Sequence, residues 1–240
     1  AQDAITRRFA LNLDMDAARA ALAVNDFGRQ LVAFAWPARP PGLADPWEAL
    51  LRGVIATRTF RRRATMLDRR LAQALGPRAR FSGREVAFLP PADTLAATPP
   101  ATLAGLGFRP NRAEVLPQLA ARYLARKERF TPAALTARPA DDVVADLQAL
   151  PGVSAWAAGV AAGRGFGLLD ALVDEPGLRL IVGRGFGWDP KGPPPTPPEF
   201  RALMAPFSPY RGLACRYTFL ARYGLQPGWG DRSERAEAQA

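Results

Sequence analysis

Apolar residues recur at three- and four-residue spacing in segment after segment of this chain, whereas alternating β-branched and aromatic positions are scarce. That periodicity predicts helices throughout and an all-α fold. Phe27 to Phe34 reads as a helix ended by Trp36-Pro37, and Pro40 to Pro46 as a turn-rich link. Asp45-Pro46-Trp47-Glu48 has the form of a helix start with Pro in the first turn, followed by Leu50, Leu51, Val54 and Ile55 on one apolar face. A longer helix is predicted from Arg61 to Leu75, stopped by Gly76-Pro77, with Arg61, Arg62, Arg63, Arg69 and Arg70 on its solvated arc. Shorter helices follow at Ala92–Ala97, Pro100–Leu106, Arg112–Ala125 and Pro132–Ala137. The helix Asp141–Leu150 runs into Pro151-Gly152-Val153-Ser154, and helical composition resumes over Ala155–Ala162, which makes a hairpin of two short helices. Residues 189–198, with their prolines, predict a stiff extended loop. Residues beyond Gly230 read as a frayed tail, and no internal repeat is visible.

Composition narrows the chemistry. With 240 residues and 48% apolar content the chain can build an ordinary core. Cys215 is the only cysteine and His is absent. A disulfide framework, a cysteine-held metal or iron–sulfur cluster, Ser-His-Asp and Cys-His arrangements and the usual zinc sites are therefore excluded within one chain. Asp, Glu, Tyr, Lys and Arg remain as chemical groups. The net charge of +10 and a pI near 11.0 favour a polyanionic partner. Lys occurs only at Lys127 and Lys191, and the dominance of Arg, Ala and Pro equally fits a GC-rich coding bias. No apolar run reaches the ~18 residues of a membrane span and no signal-peptide pattern opens the chain, so a cytoplasmic protein is expected. The chain begins at Ala1 without an initiator Met, as after removal of N-terminal sequence.

The segment Leu147-Gln148-Ala149-Leu150-Pro151-Gly152-Val153-Ser154-Ala155-Trp156 is the most specific signal. A Gly-containing turn lets backbone approach a phosphate, and the unpaired N–H groups opening the next helix favour an anion. Alone, Leu-Pro-Gly-Val also suits an ordinary helix–helix turn. Its flanks extend the pattern. The hairpin resembles the helix-hairpin-helix motif of the DNA glycosylase superfamily, most of all its 3-methyladenine DNA glycosylase II branch. Pro40-Pro41-Gly42 to Ile55 is similar to that family's entry into its first core helix, and Phe88 to Ala96 to its "FPTPEALA" segment. Leu103 to Ala121, with Gly105-Leu106-Gly107-Phe108 and Asn111-Arg112-Ala113, resembles "LRGLGL…RA..I..LA". Thr196 to Phe200 through Pro209-Tyr210-Arg211-Gly212-Leu213-Ala214 resembles "TP…PWRSYA". Together these cover about residues 36–225.

The resemblance implies a two-lobed helical fold with a DNA-binding cleft between the lobes. It places an N-terminal segment at 1–45, a helical-bundle lobe at 46–140, a hairpin and catalytic lobe at 141–230, and a tail at 231–240. It also implies a monomer that flips a damaged base, an alkylated one in this branch, out of double-stranded DNA and hydrolyses its bond to the sugar. Such chemistry needs a carboxylate near the sugar to stabilise an oxocarbenium-like transition state or activate water. Val173-Asp174-Glu175-Pro176-Gly177-Leu178-Arg179 resembles the "VDTHV.R" segment of the endonuclease III branch and so places Asp174 at the catalytic position, with Arg179 at its Arg. Aligned on the alkyl-base form "D.GLR", the same stretch puts Glu175 there instead. Asp170 is a third candidate, and Asp174 could also simply cap the helix it precedes.

Lyase-competent relatives hold a Lys where this chain has Trp156, which implies hydrolysis without strand cleavage. Trp156 and Phe219 match base-pocket positions, while Val160 replaces a Tyr; Trp156 could equally be a core aromatic. Thr57-Arg58 stand where the family has "QQ", making Arg58 a wedge or orphan-base reader, or else a solvent-facing Arg. The phosphate grip maps to Gly152, Val153 and Ser154, where Ser154 replaces the second Gly. No organic cofactor or iron–sulfur cluster is implied, but a monovalent cation on the backbone carbonyls of Gln148, Leu150 and Val153 is. The departures leave a second reading open, a non-catalytic DNA-binding protein on the same fold.

Overall fold

The computed structural model describes residues 2–43, 45–189 and 191–224; the tail expected after Gly230 lies outside them. In chain order the helices are α1 (Gln2–Phe9), α2 (Met15–Leu22), α3 (Asp26–Ala35), α4 (Pro46–Ala56) and α5 (Arg61–Leu75). Two short strands follow, β1 (Arg78–Phe81) and β2 (Arg84–Ala87). Then come α6 (Ala92–Ala96), α7 (Pro100–Gly105), α8 (Pro110–Leu124), α9 (Pro132–Thr136), α10 (Ala140–Gln148), α11 (Ala155–Arg164), α12 (Pro176–Gly185), α13 (Pro197–Met204) and α14 (Arg211–Gly224). Among the described residues no helix is long and apolar enough to cross a membrane.

The fold is helical as expected, apart from the β1–β2 ribbon. Its turn, Phe81-Ser82-Gly83-Arg84, has positive φ at Ser82 (47°) and Gly83 (77°), which matches the right-handed twist of the paired strands. Arg78 pairs with Ala87 and Phe81 with Arg84 in register, and Arg78 and Glu85 form an ion pair at 2.7 Å. The strands are almost wholly exposed, so they carry no alternating apolar signature to read.

Helix starts follow side-chain chemistry. Asp14, Asn25 and Asp45 accept from the backbone N–H groups of Ala17, Gly28 and Trp47 and so cap α2, α3 and α4. The expected extended loop over 189–198 ends early, because Pro197 and Pro198 open α13 rather than precede it. There the N–H and hydroxyl of Thr196 donate to Glu199 at 2.7 and 2.6 Å, and proline costs nothing in a first turn whose N–H groups have no helical partner.

The chain divides by its internal contacts into two units, one formed by Leu43–Gly167 and one by Ala1–Gly42 together with Leu168 onward. These boundaries differ from the 45/46 and 140/141 divisions expected from the resemblance. The hairpin α10–α11 goes with the central bundle because α11 packs on α4 through small residues. Ala157, Ala158, Ala161 and Ala162 are fully buried, and a Cβ on Gly53 would sit 3.3 Å from that of Ala157. Leu50, Leu71, Leu103 and Leu116 fill the rest of that core.

In the flanking unit, α3 packs on α14 around Leu22, Leu31, Phe200, Phe207 and Tyr217, all at most 2% exposed. Each such side chain contributes about 1.5–3 kcal/mol by leaving water. The Tyr217 hydroxyl, otherwise an orphan in this core, donates to Ala38 O at 2.9 Å.

Candidate functional site

The hairpin turn is built around Gly152, whose φ of +73° is a left-handed conformation that side chains disfavour. A Cβ there would also lie 2.4 Å from Val115 Cγ1 of α8. Val153 N–H donates to Leu150 O at 3.3 Å and closes the turn. Ser154 then caps α11, its Oγ accepting from Ala157 N–H at 3.2 Å. The same oxygen lies 3.1 Å from Thr57 Oγ1, while Thr57 Oγ1 donates to Gly53 O at 2.9 Å. Each hydroxyl has one proton. Thr57 spends its own on Gly53, so the Ser154 hydroxyl is the donor between the two. Ser154 is therefore used inside the turn, and the two departures from the family pattern, Thr57 and Ser154, satisfy one another.

Thr57 opens the turn between α4 and α5. Arg58 follows with φ of +52°, and Thr59 N–H donates to Ala56 O at 3.1 Å. From α8 the Arg112 guanidinium donates to the carbonyls of Val54 and Thr57. Burial pulls the Arg112 pKa below its usual value. Beside the turn is a cavity of about 250 Å³ with a floor of Ile55, Leu67 and Phe108 and a rim that includes Arg58, Arg63, Arg109 and Arg112. Phe60, also on its lining, is 89% exposed. No periodicity marked Phe60, since it precedes the helix whose pattern was legible.

In the flanking unit, Glu175 rather than Asp174 is the cap of α12: its Oε2 accepts from Leu178 N–H at 2.7 Å. Asp174 Oδ1 lies 3.1 Å from Arg179 Nε, with side chains 24% and 15% exposed. That Nε–H is not aimed at an acceptor, so the pair is held by charge. Arg179 is fixed separately by donating from Nη1 to Pro195 O at 2.8 Å. Asp170 is committed elsewhere, accepting from Ser208 Oγ (3.2 Å), Arg211 N–H (3.1 Å) and Arg211 Nη2 (2.6 Å) at the start of α14. Cys215 is buried, and its thiol is pushed up to about 12 by desolvation.

Trp156 occupies the second position of α11, with Val160 one turn on, and both are half-buried. Phe219 is half-buried on α14. The geometry thus joins Thr57 with Ser154 and Asp174 with Arg179, while Trp156 and Phe219 belong to different units. The carbonyls of Gln148, Leu150 and Val153 stand at the C-terminal end of α10 and in the turn that follows. Gln148 and Leu150 lie at the negative end of the α10 dipole, which favours a monovalent cation, whereas Val153 immediately precedes the cap of α11. Among the described residues no group of three or more Cys, Asp or Glu side chains could hold a metal ion.

The helical body, with a Gly-turned hairpin between α10 and α11 and an acidic residue just ahead of α12, has the fold of several solved DNA glycosylases. No protein-family model matches the chain, and no curated protein matches it in sequence. Among solved structures, MBOgg1 in complex with a low-affinity DNA ligand superposes with a TM-score of 0.76 at 19% identity, over 91% of this chain and 73% of that one. The 8-oxoguanine glycosylase/lyase of Clostridium acetobutylicum in its apo form gives 0.76 at 16%, over 91% and 74%. The 3-methyladenine DNA glycosylase of Archaeoglobus fulgidus gives 0.72 at 15%, over 91% and 73%. At these identities the likeness is one of fold.

Proposed function

We propose that this protein is a monofunctional DNA glycosylase that acts as a monomer on double-stranded DNA, flipping out a damaged, alkylated base and hydrolysing its N-glycosidic bond. The observation that carries the reading is the division of labour between neighbouring carboxylates. Glu175 is occupied in capping α12, which leaves Asp174 as the carboxylate not bound to backbone, oriented by the charge of Arg179. A fixed negative charge of this kind stabilises the positive charge that develops on the sugar ring as the base departs. Trp156 and Phe219, the two positions matching base-pocket aromatics, are each a candidate face for the extruded base; cation–π attraction adds about 0.5–2 kcal/mol per ring for a cationic alkylated base. With Trp156 where a lyase would hold its amine, water is the nucleophile and the strand stays intact.

Gly152, Val153 and Ser154 grip a phosphate through their turn. A monovalent cation on the carbonyls of Gln148, Leu150 and Val153 would add positive charge there. Thr57 braces the grip and Arg58 reaches the base left unpaired. The departures from the family pattern at Thr57, Arg58 and Ser154 carry the second reading, a non-catalytic DNA-binding protein on this fold.

The test is single-turnover base release from duplexes carrying a panel of lesions. Asp174→Asn keeps shape but removes charge, so release should fall by about a hundredfold or more while duplex binding survives. Glu175→Gln should keep release and lose stability. Loss in Glu175→Gln with full release by Asp174→Asn would move the catalytic role one residue along. Borohydride trapping of a wild-type protein–DNA adduct would overturn the monofunctional assignment, and no release from any lesion would leave the non-catalytic reading.

A further inference from the structure

The turn between α4 and α5 gives up local stability three times within six residues. Arg58 is a non-glycine residue at φ +52°, in a conformation that a Cβ disfavours. Phe60 occupies the N-cap of α5 and makes no side-chain cap hydrogen bond, at a position where Ser, Thr, Asp or Asn would satisfy a backbone N–H. The first turn of α5 then carries Arg61, Arg62 and Arg63 and no acid, so cations face the positive end of the helix dipole. Local rules broken together mark a position selected for something other than folding. An anion outside the chain would compensate the second and third.

Phe60 itself is more specific. It is 89% exposed, against 60% for Phe81 and 46% for Phe88, so the ring makes almost no contact within the protein. It is not on a loose segment, because hydrogen bonds from Thr57, Thr59 and the Arg112 guanidinium brace the turn. Arg58, Arg61, Arg62 and Arg63, its neighbours in sequence, are exposed, although Arg63 also donates to Gly107 O at 3.0 Å. A rigidly presented aromatic ring beside several exposed guanidinium groups has the chemistry of a base-stacking contact on nucleic acid, since the ring meets the π-face of a base and nearby cations meet its phosphates. A protein partner would be repelled by the same exposed cations unless strongly acidic.

We infer that Phe60 enters the base stack of bound duplex DNA, where its ring packs against the base left unpaired next to the extruded nucleotide. This rests on the DNA-binding reading above, and it assigns the wedge to a residue other than Arg58. Arg58 then contacts the unpaired base or a phosphate from the mouth of the cavity. Phe60 touches neither the bond that breaks nor the sugar; it holds the duplex open.

The experiment compares the wild type with Phe60→Ala, Phe60→Trp and Arg58→Ala on two duplexes, one fully paired and one with a tetrahydrofuran abasic analogue opposite 2-aminopurine. Stacking of one base on an aromatic side chain predicts that Phe60→Ala loses about tenfold of the preference for the abasic duplex. Its affinity for the paired duplex and its melting temperature should stay at the wild-type level, since the ring supports nothing inside the protein. Phe60→Trp should keep the preference, and the change in 2-aminopurine emission on binding should vanish only in Phe60→Ala. Retention of preference and emission change by Phe60→Ala overturns the assignment, and if Arg58→Ala alone loses both, the wedge is Arg58. A wild type that binds paired duplex without preferring the abasic one also overturns the role of Phe60 but leaves DNA binding intact. One that binds neither duplex removes the DNA reading and this inference together.

Discussion

Replacing Gly152 by Ala tests whether the hairpin turn is fixed by one backbone conformation and one contact. The added Cβ must sit at φ +73° and 2.4 Å from Val115 Cγ1. The left-handed conformation costs about 1–2 kcal/mol for a residue with a Cβ. Forcing a methyl group against a β-branched neighbour that has little freedom at χ1 costs about 1–3 kcal/mol more. Together these predict a loss of roughly 2–5 kcal/mol, which for a chain of this size lowers the melting temperature by about 5–15 °C. Val115→Ala removes the atom that is struck, so Gly152→Ala/Val115→Ala should recover the steric part but not the backbone part. The double-mutant cycle should therefore show a favourable coupling of about 1–3 kcal/mol, measured by thermal or urea unfolding followed by circular dichroism. Duplex affinity separates fold from function, because the backbone conformation that aims the turn is altered in both glycine variants and both should bind less tightly. A Gly152→Ala protein that melts with the wild type, or a cycle with no coupling, would refute the reasoning.

Asp68 has one oxygen 2.8 Å from Arg52 Nη1 and the other buried without a hydrogen-bond partner, and burial pushes its carboxyl from 3.8 up to about 6. The native state thus holds this proton more tightly than the unfolded chain, and stability should fall as pH rises from about 4 to 6. Asp68→Asn should remove that slope and be more stable at pH 7 by roughly 1–3 kcal/mol; superimposable urea midpoints for the two proteins across pH 4–7 would contradict this. Cys215, 1% exposed with its thiol pushed up to about 12, should react with a disulfide reagent only as fast as the protein unfolds. Prompt labelling under native conditions would show that the thiol is accessible.

Most of the fold was legible where apolar spacing and stop signals coincide. The helix from Arg61 to Leu75 appears with its predicted ends because four buried positions recur on one face and Gly76 closes it. Asp45-Pro46 likewise opened α4 as read. The β1–β2 ribbon was not legible because its strands bury nothing; a Ser-Gly turn was the only cue. The short helices α1 and α2 lacked a run long enough to show periodicity, although Asp14 was a cap in plain sight. At the candidate site, sequence located the pair Asp174-Glu175 but could not divide their work, since either can cap a helix and only the direction of each carboxylate tells them apart. Ser154 was readable as a departure, but its partner Thr57 lies 97 residues away, a distance no local pattern spans. Phe60 stood outside every periodic segment and gave no signal.

The flanking unit is closed by the packing of α3 on α14, elements separated by the whole of the central one. A ribosome delivers residues in order, at about 5–20 per second. The first three helices therefore leave the exit tunnel roughly ten seconds or more ahead of the segment that covers Leu22, Phe27 and Leu31, while Leu43–Gly167 can complete its own core in the interval. During synthesis the early helices are clients for any holding factor that meets exposed leucine and phenylalanine, and a rare-codon pause after Gly167 would prolong that exposure without touching the central bundle.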